Sequence, residues 1–217
     1  MSRKARTTKK IFKVFCEGDT EHNYIDEMKR QRRLSIAIKP INMKGGGYSN
    51  FLETVKTDSN SNCLAKFIII DGDLALNKVG EKKNLKELID YCIVQNKSGR
   101  IPHFLIVDFP DFEYLACLHT PQYKNQNTEQ YIIRNLGYKS LDEFKSDTKV
   151  YNVLNTNGNS YEIMLTALPK NNCFIKNEHS INKTQYEISI NSTIYDWEKL
   201  GLKGSNIDEL FDVLKAF

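Results

Sequence analysis

Paired cysteines, clustered histidines and long apolar runs are all scarce in this chain of 217 residues. The five cysteines, Cys16, Cys63, Cys92, Cys117 and Cys173, are odd in number and include no CxxC pair. That argues against a disulfide framework and against a structural zinc site. Cys16, Cys92 and Cys117 fall in apolar patterns and read as small core residues. The four histidines, His22, His103, His119 and His179, show no HxxxH spacing, so a histidine-based transition-metal site has no support. No apolar stretch approaches the ~20 residues of a membrane span. The N-terminus is basic without an apolar h-region, so it is not a secretory signal. A soluble, cytoplasmic chain is expected. The string KGGG at 44–47 lacks the Gly-Lys-Ser/Thr ending of a Walker loop. A flexible connection and a close backbone approach to a ligand both stay open for it.

The length allows one large domain, or one domain with a small appendage, and can bury a real core without staples. The net charge of +4 is unevenly spread. Residues 1–10 form a basic arm holding Arg3, Lys4, Arg6, Lys9 and Lys10 and no acid. Beyond it stand 26 basic against 27 acidic residues. Such an arm either adds sequence-independent attraction to nucleic-acid phosphates or is a solvated terminus.

Apolar periodicity predicts strands at 10–16, 34–43, 66–70 and 102–107. Helices are predicted between them, from Thr20 as a cap through about Arg33, over Tyr48–Thr57 and over Asn84–Gln95, and then over Asp111–His119. This alternation predicts an α/β fold, a mainly parallel four-stranded sheet flanked by helices, over residues 11–125. Residues 126–217 read as a mostly helical C-terminal region packed on that core. Its helical patterns are Thr128–Leu136, Leu141–Leu154 and Ile207–Ala216. The polar, poorly periodic stretch 171–192 reads as a surface loop.

Three acidic sites follow three of the apolar runs: Glu17 and Glu21 in IFKVFCEGDTE, Asp71 and Asp73 in FIIIDGDLA, and Asp108, Asp111 and Glu113 in HFLIVDFPDFEYL. Parallel sheets place ligands outside the carboxyl ends of their strands. Carboxylates gathered there repel one another unless a cation neutralises them. Mg²⁺ and Mn²⁺ prefer hard oxygen ligands of this kind. Each site also has a plainer reading. Glu17 and Glu21 suit a helix N-terminus, Glu21 more so. Asp71 and Asp73 suit an Asx turn, and Asp108 and Asp111 suit turn and cap roles around Pro110. Glu113 can reach a second ion or a metal-bound water. His119 reads as a core residue, or as one that orients a ligand from behind.

The order CEG-x-T-E and then I-I-I-D-G-D resembles the Toprim (topoisomerase–primase) fold, in which a glutamate ends the first strand and a DxD ends a later one. PDFEYLACLHT resembles the Pro-Cys-Phe-Glu-x-Trp-Leu-Leu-Leu-His segment of the RloB family, Toprim-like proteins of bacterial restriction and abortive-infection loci. INSTIYDWEKL resembles that family's Asn-Pro-Ser-Thr-x-Val-Tyr segment, here without its proline. The resemblance implies a Toprim-like Rossmannoid core with Glu17, Asp71 and Asp73 on Mg²⁺ or Mn²⁺. It further implies that Glu21 and Glu113 complete the catalytic set. The implied activity is phosphodiester hydrolysis of RNA, tRNA or DNA in antiviral defence, under control of an ATPase or other defence-system partner. A catalytically degenerate Toprim module that binds or senses a partner is the alternative, and primase-like phosphoryl transfer is a third.

Overall fold

The computed structural model describes residues 10–32, 34, 36–99 and 101–217. Arg3, Lys4, Arg6, Lys9 and Arg33 therefore lie outside the described residues. Four strands, β1 (Ile11–Cys16), β2 (Ala37–Asn42), β3 (Cys63–Asp71) and β4 (His103–Asp108), form one parallel sheet in the order β2-β1-β3-β4. Between them run α1 (Asp19–Gln31), α2 (Gly47–Thr57), the single turn α3 (Leu74–Asn77) and α4 (Glu81–Lys97). This is a Rossmann-like α/β layer.

Strand alternation divides the core into two. Val14, Cys16, Phe67, Ile69, Phe104 and Ile106 face Tyr24, Ile25 and Met28 of α1. Their neighbours Phe15, Ile68, Ile70, Leu105 and Val107 face Tyr48, Phe51 and Val55 of α2 and Leu85, Leu88 and Ile89 of α4. Both faces are covered, so the inner strands are mainly apolar, Lys13 and Lys66 being buried in β1 and β3 against Asp58, and they carry little amphipathic signal. The chain steps from β1 to β2 in one direction, then crosses back to β3 in the other. The reversal makes the gap between β1 and β3 the topological switch point, where open α/β sheets bind ligands.

Several expected boundaries move. Thr20 is not the cap of α1. Gly18 takes that position, and Glu21 reaches back so that its Oε2 accepts the Gly18 N–H at 3.1 Å. The Leu141–Leu154 pattern is two helices, α7 (Leu141–Ser146) and α8 (Val150–Val153). Asp147 interrupts them, accepting from the Tyr138 hydroxyl at 2.6 Å and the Lys149 N–H at 2.8 Å. Before and after them come α5 (Phe112–Leu118), α6 (Thr128–Asn135) and α9 (Tyr161–Ala167), all on the α1 side of the sheet.

The expected loop at 171–192 is instead an antiparallel hairpin, β5 (Ile175–Asn182) and β6 (Glu187–Tyr195). Its inward positions include a polar residue, which hides the alternation. Asn177 is buried, donates to the Leu105 carbonyl at 3.2 Å and is bonded twice to Glu209 at 2.7 Å. Glu209 belongs to the last helix, α10 (Asp208–Ala216). Just before α10, Asn206 accepts the Val107 N–H at 2.9 Å and donates to the Leu105 carbonyl at 3.0 Å. Two asparagine amides thus satisfy edge groups of β4 that would otherwise be open. The other edge strand, β2, contains Pro40, a residue confined to edges because it cannot donate to a ladder. Among the described residues no helix is long and apolar enough to cross a membrane.

Candidate active site at the carboxyl edge of the sheet

Glu17 follows β1 directly, and the parallel register of β1 on β3 carries it to the end of β3. Its Oε2 accepts the Asp71 N–H at 2.8 Å. Asp71 in turn accepts the Phe112 N–H at 3.2 Å, which ties β3 to the start of α5. Asp71 also pairs in register with Asp108 at the end of β4. Three neighbouring strands therefore deliver carboxylates to one edge, as their apolar runs predict. Asp73 opens α3, and its Oδ2 accepts from the Asn77 amide at 3.4 Å. Glu21 and Glu113 are buried in the first turns of α1 and α5.

The turn between Asp71 and Asp73 has no room for a side chain. A Cβ on Gly72 would lie 2.8 Å from a Phe109 ring carbon and 3.1 Å from a Val107 methyl. Gly72→Ala is expected to destabilise the fold by about 1–3 kcal/mol, as overpacking does. Denaturant midpoints check this, and an unchanged midpoint would show that the turn relaxes freely.

Electrostatics couple the carboxyls of the group to one another. Burial pushes the Asp71 carboxyl well above the usual carboxylate range, and the charges of Glu21, Glu17, Asp108 and Glu113 push it further. Glu21 is pushed up to about 8 by burial, with Glu113, Asp108 and Glu17 adding to the shift. Burial raises Glu17 too; the Asp71 N–H works against the rise, and Asp73 and Glu81 favour it. Asp108 rises to about 7 through burial, opposed by the Ser205 hydroxyl that donates to it at 2.5 Å. Its other oxygen is buried without a partner among the described residues. Asp111, pushed up to about 6 by burial and by Glu113, caps α5 by accepting the Tyr114 N–H at 3.0 Å.

Several contributors carry no local sequence signal. Tyr48 donates its hydroxyl to the Asp71 carbonyl at 2.7 Å and accepts from the Ala75 N–H at 3.2 Å. Glu81, buried at the start of α4, accepts the Tyr48 N–H at 3.0 Å. The KGGG turn lies beside Glu17, whose carbonyl accepts the Gly45 N–H at 2.8 Å. Lys44 to Gly47 all have positive φ, from 54° to 97°, and glycine adopts such values without strain. Lys145 of α7 places Nζ 3.2 Å from Glu113. Burial lowers the Lys145 pKa, but Glu113, Asp71 and Asp111 outweigh it and raise the value.

Other expected residues lie elsewhere. Lys10 sits at the amino end of β1, where Nζ donates to the Tyr186 carbonyl at 3.3 Å. The six residues of β1 separate it from Glu17, roughly 20 Å at strand rise. His119 is a core residue: Nδ1 meets the Leu115 carbonyl and Nε2 the Tyr24 hydroxyl, both at 2.9 Å.

The chain matches no protein-family model, no curated protein and no solved structure. The site is therefore read from its own chemistry. Its donors are hard carboxylate oxygens that repel one another at low dielectric, and one buried oxygen lacks a partner among the described residues. That composition suits a hard divalent cation. Among the described residues, however, no three His, Cys, Asp or Glu side chains close on one point as they stand. Glu17, Asp71 and Glu21 are turned to backbone N–H groups, and Glu113 to Lys145. Each of these hydrogen bonds engages one carboxylate oxygen, and the side chains must draw closer together to share one ion.

Proposed function

We propose that the chain is a Mg²⁺- or Mn²⁺-dependent nuclease with a Toprim-like catalytic centre, acting in antiviral defence. The observation that carries the reading is the meeting of Glu17 and Asp71 across the β1/β3 switch point, 2.8 Å from Oε2 to N. Glu17, Asp71 and Asp73 would hold the cation, which when bound supplies charge neutralisation at the scissile phosphate and a more acidic water.

The chain's own residues do the rest. Glu21, which burial and the neighbouring Glu113, Asp108 and Glu17 push up to about 8 while no cation is bound, stands in the first turn of α1 beside Glu17, where it would complete the acidic set and exchange a proton as an ion enters. Lys145 brings a positive charge to the same edge and can turn from Glu113 to a phosphate oxygen. Tyr48 fixes the backbone on both sides of the DGD turn through Asp71 and Ala75. The substrate is RNA, tRNA or DNA, and the resemblance to defence effectors favours a partner, such as an ATPase, that controls the activity.

The second reading, a degenerate Toprim module that binds a partner, is favoured by the hydrogen bonds that already occupy Glu17, Asp71 and Glu21. Cleavage assays separate the two. The purified chain with Mn²⁺ or Mg²⁺ is expected to cut RNA or DNA, and Glu17→Ala to stop it. A chain that cuts none of these and shows no thermal shift with Mn²⁺ belongs to the second reading. A Glu17→Ala variant as active as the parent sinks the assignment of the site.

A further inference from the structure

The N-terminal turn of α4 carries a cationic and aromatic groove that none of the chemistry above uses. It is a shallow, open depression of about 520 Å³ lined by Gly80, Lys82, Lys83, Lys86 and Trp197. The three lysines are exposed on the first turns of α4, flanking the stripe of buried Leu85, Leu88 and Ile89. Trp197 is partly exposed. Its indole is braced by Phe174 at 5.1 Å and Tyr195 at 5.8 Å between ring centroids. The Lys82 Nζ sits 4.9 Å from the indole centroid. Beside it, α3 leaves Leu76 half-exposed and the α3–α4 link leaves Val79 fully exposed.

We propose that this groove is a binding subsite for an unpaired nucleic-acid strand, with a base stacked on Trp197 and its flanking phosphates on Lys82, Lys83 and Lys86. The inference rests on the nuclease reading and adds to it a place and a strandedness for the substrate. A flat ring beside a row of cations is the general solution for holding single strands, because every base has a π-face and every nucleotide a phosphate. The acids nearby do not close the groove. Glu87 and Asp90 lie 3.7 Å and 2.6 Å from Lys83 and Lys86, but both are exposed helix pairs, which are weak and screened by salt. Lys82 leaves the ring readily, since stacking of a base is the stronger of the two contacts when both are exposed.

The groove is also joined to the carboxylates. Glu81, next to Gly80, holds the Tyr48 N–H at 3.0 Å, and the Tyr48 hydroxyl holds the Asp71 carbonyl at 2.7 Å. The start of α4 thus borders both the groove, through Gly80, and the network that reaches Asp71, through Glu81.

Trp197 is the chain's one tryptophan, so its emission reports on this groove. The full-length chain, in EDTA to prevent cleavage, is titrated with oligouridylate, with oligodeoxythymidylate and with a duplex of equal length. Both single strands are expected to quench the emission to saturation, and the duplex much less. By fluorescence anisotropy, Lys82→Glu with Lys83→Glu is expected to weaken binding at low salt by about tenfold or more. Trp197→Ala is expected to weaken it by about tenfold, and Trp197→Phe, which keeps an aromatic face and the packing on Phe174, by less than about threefold. Unchanged emission with bound oligonucleotide overturns the proposal, as does equal quenching by duplex or a charge-reversed variant that binds like the parent. The nuclease reading fails separately. Saturable quenching without cleavage in Mn²⁺ keeps the groove and removes the enzyme. Cleavage that Trp197→Ala leaves untouched in rate and affinity keeps the enzyme and removes the groove.

Discussion

Asp71→Asn is expected to reduce metal-dependent cleavage by at least about 1,000-fold, the scale of losing a residue that acts in the reaction. The fold should survive. Asparagine keeps an oxygen at the position that accepts the Phe112 N–H at 3.2 Å, and the backbone bonds to Glu17 and Tyr48 are unaffected. What disappears is a negative charge that burial and four neighbouring carboxylates disfavour. At pH 8 without a divalent ion the variant should therefore melt at a higher temperature than the parent. Loss of function together with gain of stability is the signature of a residue kept at an energetic disadvantage for a ligand's sake. Single-turnover cleavage and thermal melting in EDTA measure the two halves. A variant that is inactive and also less stable in EDTA would assign Asp71 a structural role.

Without divalent cation the chain should also lose stability as pH rises from about 6.5 to about 8. Glu21, Asp108 and Glu209 have folded-state values near 8, 7 and 7, raised above their ordinary carboxyl values chiefly by burial. A carboxyl raised in this way contributes stability that is complete below its unfolded pKa and is lost as pH climbs through the folded value. Within the window Glu21 contributes on the order of 2 kcal/mol of loss, and Asp108 and Glu209 somewhat under about 1 kcal/mol each. The two buried histidines, His103 and His119, are lowered to about 4 by burial. Their cost falls below about pH 6.5, where the free imidazole titrates, so it leaves the window clear. Urea unfolding in EDTA at several pH values reads the slope, and Glu21→Gln should remove about half of it. Added Mn²⁺ or Mg²⁺ should offset the loss at the alkaline end, because it competes with protons for the same oxygens. Stability that is flat or rising across this range would show that the acids are ionised at little cost.

The sheet and one end of the site are legible in the sequence because their signals are local. Phe67–Ile70 and Phe104–Val107 are short β-branched and aromatic runs, and strands buried on both faces read as such. An acid placed directly after each run goes to the carboxyl edge by chain continuity alone, which is why Glu17, Asp71 and Asp108 can be placed. The sequence does not tell that β1 and β3 are neighbours, since pairing across α1, β2 and α2 is set by tertiary packing. Tyr48, Glu81 and Lys145 reach the site through packing of α2, α4 and α7. Nothing in their immediate neighbours marks them. The β5–β6 hairpin escapes notice for a different reason: Asn177 occupies an inward position normally apolar, and its cost is met by Glu209 and Leu105, distant in the chain.

The asparagines along β4 and the proline in β2 have a consequence for assembly. A foreign peptide strand cannot zip onto β4, whose Leu105 and Val107 groups are already engaged, and on β2 it meets a missing donor at Pro40. Addition of a strand to the main sheet is thereby disfavoured at both of its edges.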